Sequence, residues 1–309
     1  DPASRLARSA GAASAPGERR VPENPALKSD SYRAPWWLPG GHLQTLYGVL
    51  IGPRGVTWRR ERWDTPDGDF IDVDRIPGNA AAPLVVLFHG LEGNSGSHYA
   101  RALARELGKR GWRGAVPHFR GCSGEPNRLP RAYHSGDAEE IAWVLRRMLR
   151  EAAGAPLFAM GVSLGGNALL KWLGEDVQAK DVLAAAAAVS APFDLMAAGR
   201  SLGRGFNLVY TRHFLATLKM KSELKLERFP GLFDGEAMRR ARTLHDFDDA
   251  VTAPLHGFSS ADDYWTRASA KPALGRIGLP TLLLNARNDP FMPDTAFPRP
   301  EEVSPFVLC

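Results

Sequence analysis

The stretch Pro156-Leu157-Phe158-Ala159-Met160-Gly161-Val162-Ser163-Leu164-Gly165-Gly166-Asn167-Ala168-Leu169-Leu170-Lys171-Trp172-Leu173 decides the architecture. Pro156 to Met160 is a short apolar run of the kind a buried strand requires, and Asn167 to Leu173 reads as a helix. Between them Gly161 to Gly165 matches Gly-x-Ser-x-Gly, a serine carried on a sharp strand-to-helix turn. Such a turn needs glycines because neighbouring Cβ atoms would collide, and it presents the hydroxyl at the N-terminus of the following helix. Ser163 is therefore a candidate nucleophile. The competing reading, a small-residue turn with no chemistry, does not use the strand before it and the helix after it.

Working outward, the chain from Pro83 alternates short apolar runs with amphipathic helices, the pattern of βαβ units and a mostly parallel sheet with helices on both faces. Leu84 to Phe88 reads as a buried strand. Ala100, Leu103, Ala104 and Leu107 form one stripe of a helix over Tyr99 to Lys109, and Ile141, Val144, Leu145, Met148 and Leu149 form another. Asp137 followed by Glu140 predicts a capping box opening that second helix. Thr281 to Asn285 reads as a late strand. Upstream, runs over Val56 to Trp63 and Phe70 to Ile76 flank Pro66-Asp67-Gly68, a hairpin signal.

Three segments fall outside this rhythm. Residues 1–33, rich in Ala, Ser, Pro and Arg, lack the apolar surface needed to offset ordering entropy and are expected to be a disordered tail. Residues 195–275 carry basic helical pieces (Lys219, Lys221, Lys225, Arg239 to Arg242) and are expected to be a helical cap inserted between core segments 34–194 and 276–309. Within it Phe206, Leu208, Val209, Tyr210, Phe214 and Leu215 are candidates to line an acyl pocket, or else to form the cap's own core. The chain opens at Asp1 and stops in the strand-like Phe306-Val307-Leu308, so a fragment cut at both ends is expected, with any N-terminal signal or anchor left open.

Composition sets outer limits. The 309 residues are 44% hydrophobic, enough for a sizeable core, and the net charge of +5 comes from 39 basic residues interspersed with 34 acidic ones. That is a mild surface bias, and no nucleic-acid partner is expected. Cys122 and Cys309 are far apart, so no disulfide framework or metal site is implied, no cofactor is expected, and a reducing, cytoplasmic setting is the default. The longest apolar run, Val182 to Val189, falls far short of the roughly 20 residues a membrane-spanning helix needs. No transmembrane segment is expected, although peripheral membrane contact stays open.

Two further loops carry chemistry. His89-Gly90-Leu91-Glu92-Gly93, directly after the strand at Leu84, is similar to a His-Gly loop that supplies an oxyanion donor. On that reading the backbone N–H groups of Leu91 and Leu164 form the oxyanion hole. Asp289, just after the late strand, is the expected acid of a Ser, Asp, His series, with Asp194, one strand earlier, as rival; Asp289 is favoured because Asp194 reads equally well as a helix cap.

Together Gly41-His42-Leu43-Gln44-Thr45, His89 to Gly93, Phe119-Arg120-Gly121-Cys122-Ser123-Gly124, His134-Ser135-Gly136-Asp137 and Gly161 to Gly166 resemble the YheT-type α/β-hydrolases. The resemblance extends through Asp248, Gly257-Phe258, Asp263-Tyr264, Ser269 and Ile277 to Asp289, with Trp265 where a second tyrosine is expected. It implies the α/β-hydrolase fold and carboxylic-ester hydrolysis through an acyl-enzyme at Ser163, acting on a small-molecule or lipid ester. A phospholipase or lipase is the near alternative, and a non-catalytic pseudoenzyme binding protein is the alternative from another class. The family's base lies in a His-Gly-Gly-His-type loop beyond Asp289, whereas no histidine follows His256 here. His42, His89, His98, His118 and His134 are each expected to serve as loop or oxyanion-region residues, and truncation to account for the missing base.

Overall fold

The computed structural model describes residues 34–53 and 55–309; the tail expected over residues 1–33 lies outside them. All elements below belong to one unit, Trp36–Cys309. In chain order they are α1 (Gly41–Ile51), β1 (Arg59–Asp64), β2 (Phe70–Ile76), β3 (Leu84–Phe88), α2 (His98–Lys109), β4 (Arg113–Pro117), α3 (Ala138–Ala152), β5 (Leu157–Val162), α4 (Leu164–Glu175), α5 (Ala179–Val182) and β6 (Ala185–Val189). Then come α6 (Leu195–Leu202), α7 (Leu208–Arg228), α8 (Gly235–Arg240), α9 (Leu244–Phe247), α10 (Ala253–His256), α11 (Ala261–Ala268), β7 (Thr281–Leu284) and β8 (Val307–Leu308).

The strands form one sheet in the order β1-β2-β4-β3-β5-β6-β7-β8. The hairpin β1–β2 and the β2–β4 pair are antiparallel, and every pair from β4 through β8 is parallel. Strand alternation distributes side chains between the two faces. Leu84, Val86 and Phe88 of β3, with Leu157 and Ala159 of β5, join a large core with Ile141, Leu145 and Met148 of α3 and Leu169 and Leu173 of α4. Leu87 and Val116 point the other way, to Ala100 of α2, with Met160 and Val162 packed beside them. The two helix stripes legible in the sequence thus cover opposite faces. Leu149 is the exception, 37% exposed at the edge of its stripe.

The capping box does not form. The Glu140 carboxylate is taken by Arg120 Nε at 2.6 Å and the Asp137 carboxylate by Arg131 at 2.6 Å, so neither completes the reciprocal pair. Arg120 also reaches Asp67 at 2.8 Å and Asp69 at 3.1 Å, tying the hairpin turn to the loop after β4. Burial, with Asp137 nearby, pushes the Glu140 carboxyl up to about 7 despite its arginine partner. Between β6 and β7 the described chain is helical, α6 to α11, with a small core of its own around Leu215, Phe233, Met238, Phe247 and Val251. No helix among the described residues is long and apolar enough to cross a membrane.

Candidate active site

Ser163 stands between the last residue of β5 and the first of α4 with φ 52° and ψ −121°. A non-glycine residue at positive φ is strained and persists only where its surroundings hold it. Here they do: Ser163 N–H donates to Val189 O at 2.9 Å and Gly165 N–H to His89 O at 3.1 Å, so the elbow is pinned to β6 and to the loop after β3. Gly165 is required by that approach, since a Cβ there would lie 2.5 Å from the carbonyl oxygens of Phe88 and His89.

The loop after β3 lies against the elbow; a Cβ on Gly90 would stand 3.2 Å from that of Ser163. His89 is wholly buried. Its Nδ1 lies 2.8 Å from Gly90 O and its Nε2 accepts the Phe119 N–H at 3.0 Å, which places the proton on Nδ1. Burial holds its pKa down at about 3, so it braces the loop as a neutral ring. Gly90 N–H donates to Tyr99 Oη at 2.9 Å, Glu92 N–H to Tyr133 Oη at 2.9 Å and Gly93 N–H to Gly90 O at 2.9 Å. Among the described residues Leu91 N–H has no such acceptor, and Leu164 N–H, the first of α4, precedes any intrahelical partner.

Ser163, Leu91, Leu164 and Asp289 line one cavity of about 470 Å³. Asp289 follows β7, is half-buried, and accepts the Phe291 N–H at 2.8 Å; desolvation raises its carboxyl above the ordinary value. Asp194 is not on the cavity wall. Its carboxylate accepts Ala197 N–H at 3.0 Å as the N-cap of α6. Of the histidines, His134 is the one among the described residues that lines the cavity. Its ring lies 4.4 Å from that of His256, its Nδ1 accepts the Gly136 N–H at 3.2 Å, and burial lowers its pKa to about 4. His118 pairs with Asp74 at 2.9 Å, while His42 packs on Phe206 and Tyr210.

The far wall of the cavity comes from the helices between β6 and β7, but not as the apolar run of α7 suggests. Of the six residues singled out there, Phe214 lines the cavity, whereas Leu215 belongs to the helical core and Phe206, Leu208, Val209 and Tyr210 do not face it. Leu202 of α6 and Leu218 and Leu224 of α7 take their place. Two contacts between residues singled out in the sequence were not legible there. Trp265 Nε1 donates to the half-buried Asp248 at 2.8 Å on this wall, and desolvation holds that carboxyl up at about 6. Lys221 of α7 meets Glu92 of the β3 loop at 2.8 Å. No group of three or more His, Cys, Asp or Glu among the described residues is arranged to hold a metal ion.

A strained serine at a β5–α4 elbow, on this sheet order and beside a His-Gly loop, is the arrangement of one fold family, and the α/β-hydrolase fold family matches residues 83–305. The chain belongs to the α/β-hydrolase family. It is 44% identical over 272 residues to YheT of Escherichia coli strain K12, which carries an esterase name, covering 86% of this chain and 80% of that protein. It is 32% identical over 281 residues to the mouse phospholipase ABHD3, covering 87% of this chain and 68% of that one. Among solved structures, the complex of DcsB with its substrate analogue superposes with a TM-score of 0.50 at 12% identity, over 77% of this chain and 84% of that one. At that identity the likeness concerns the fold. The family relation is consistent with hydrolase chemistry and with the placement of Ser163 at the carboxyl end of the parallel strands.

Proposed function

We propose that this chain is a serine hydrolase that cleaves carboxylic esters through an acyl-enzyme at Ser163. The observation that carries the reading is the strained φ of Ser163 on a cavity wall shared with Asp289 and with the backbone of Leu91 and Leu164. Ser163 Oγ attacks the ester carbonyl as its proton passes to the imidazole base of a Ser-His-Asp set, a histidine missing from this chain, and the oxyanion is held by the N–H groups of Leu91 and Leu164. Collapse expels the alcohol with that proton, and water repeats the sequence to release the acid. Asp289 orients and balances the imidazolium. Residues 195–275 act as a cap whose apolar wall selects the acyl group, and the phospholipase name of one relative, mouse ABHD3, supports lipid esters as the substrate class.

Prolonged exposure to excess fluorophosphonate, read by intact-mass and peptide spectrometry, tests this. A single adduct on Ser163, absent from Ser163→Ala, is expected. An adduct elsewhere, or none at saturation, overturns the assignment.

A further inference from the structure

Glu92 immediately follows the proposed oxyanion donor Leu91 and has φ 55°, a left-handed conformation that a glutamate adopts only when held. Two side chains hold it. Its N–H donates to Tyr133 Oη at 2.9 Å, the same phenol donates back to its carboxylate at 2.7 Å, and Lys221 Nζ lies 2.8 and 2.9 Å from its two carboxylate oxygens. The Glu92 side chain is only 8% exposed, so without a cation it would be a buried, uncompensated charge. Tyr133 is clamped in turn, its ring stacked on Phe119 at 5.3 Å, and burial raises its phenol well above the ordinary value so that it stays a donor.

Lys221 comes from α7, 129 residues away in sequence, and α7 is fastened to the core by a row of cations one or two turns apart. Lys225 Nζ donates to Asn127 Oδ1 at 2.9 Å and Leu129 O at 2.9 Å, and Arg228 to Asn127 O at 2.9 Å. These last two grip the loop after β4. Lys221 alone of the three reaches the loop after β3, whose Gly90, Glu92 and Gly93 amides are already committed.

We propose that Lys221 is a positioning residue for the reaction: its ion pair with Glu92 docks α7 on the β3 loop and holds the Leu91 N–H in register with Ser163. The oxyanion hole is then completed by the helical segment above it. This rests on the reading of Ser163 and Leu91 given above, so the experiment separates the two.

Hydrogen exchange of the peptide spanning residues 90–93 reads the loop without any chemistry, and the rate of fluorophosphonate labelling reads the site. Lys221→Met is expected to accelerate exchange across residues 90–93 at least about tenfold while β5 and β6 stay protected. Labelling should slow by about 10²-fold, the scale of one lost oxyanion donor, with little change in the reagent concentration giving half-maximal rate. Lys221→Arg should restore both. Should Lys221→Met fail to fold, Glu92→Gln, which keeps the Tyr133 contacts and removes the charge, is expected to show the same pair of effects. A folded Lys221→Met that exchanges residues 90–93 and labels at wild-type rates overturns the proposal. If wild-type Ser163 takes no label, the nucleophile assignment fails, and the exchange data alone decide whether Lys221 holds the loop.

Discussion

Asp194 and Asp289 both follow strands, and their surroundings give them opposite consequences for stability. Asp194 caps α6 through Ala197 N–H, a contact whose loss typically costs about 1 kcal/mol. Asp289 is half-buried with backbone donors and, among the described residues, no cation beside it, and its carboxyl is raised. A carboxyl whose folded pKa exceeds its unfolded value adds stability below the unfolded pKa, and that contribution is lost as pH rises through the folded value. At pH 7 ionised Asp289 therefore costs stability. Thermal unfolding should show Asp194→Ala melting lower than wild type at pH 7. Asp289→Asn, whose amide oxygen still accepts the Phe291 N–H, should melt higher at pH 7 and lose that advantage near pH 4. An Asp289→Asn that melts lower at pH 7 would sink the account of its burial.

At the level of elements, α6 and α11 meet through a contact that tolerates no addition. A Cβ on Gly199 would lie 2.3 Å from the Trp265 ring, whose Nε1–H holds Asp248. Gly199→Ala must displace the indole, and overpacking of this kind typically costs about 1 to 3 kcal/mol. The expected result is a melting point several degrees lower and a shifted tryptophan emission; a variant that melts with wild type would show the interface to be loose. The same contact illustrates what the sequence could and could not convey. Strands β3 and β5 were legible as short apolar runs and helices α2 and α3 by their 3.6-residue stripes, and Ser163 was legible because an elbow is a local motif. The misreadings are long-range. Asp137 and Glu140 have capping-box spacing, yet arginines from the preceding loop claim both carboxylates. In α7 the apolar residues run around the helix rather than along one stripe, so hydrophobicity alone misplaced the cavity wall by a turn. The Lys221–Glu92 pair joins residues 129 apart and leaves no trace in local pattern.

The whole molecule brings an elbow serine, two candidate oxyanion donors and a half-buried acid to one cavity, and the proton acceptor is what limits its chemistry. A general base works best with a pKa near the operating pH. Among the described residues His134 is the one imidazole on the cavity wall, and burial holds it at about 4 while its Nδ1 is occupied by Gly136 N–H. Such a ring binds a proton poorly at pH 7. His89 and His256, each held near 3 by burial, are weaker still and do not line the cavity. The 309-residue chain is accordingly expected to turn over p-nitrophenyl esters only feebly. Removing one member of a catalytic triad leaves about 10³ to 10⁴ of acceleration over water, supplied by the oxyanion hole and by binding. His134→Ala should leave that residual rate unchanged within about threefold, whereas Ser163→Ala should abolish it, since the residual depends on the nucleophile but not on a ring that cannot take its proton. Circular dichroism and melting of each variant separate loss of chemistry from loss of fold. Brisk turnover by this chain that collapses in His134→Ala would instead make His134 the base. Its pKa would then have to rise well above 4 when substrate enters, and the pH profile of kcat/KM against that of kcat would reveal the rise.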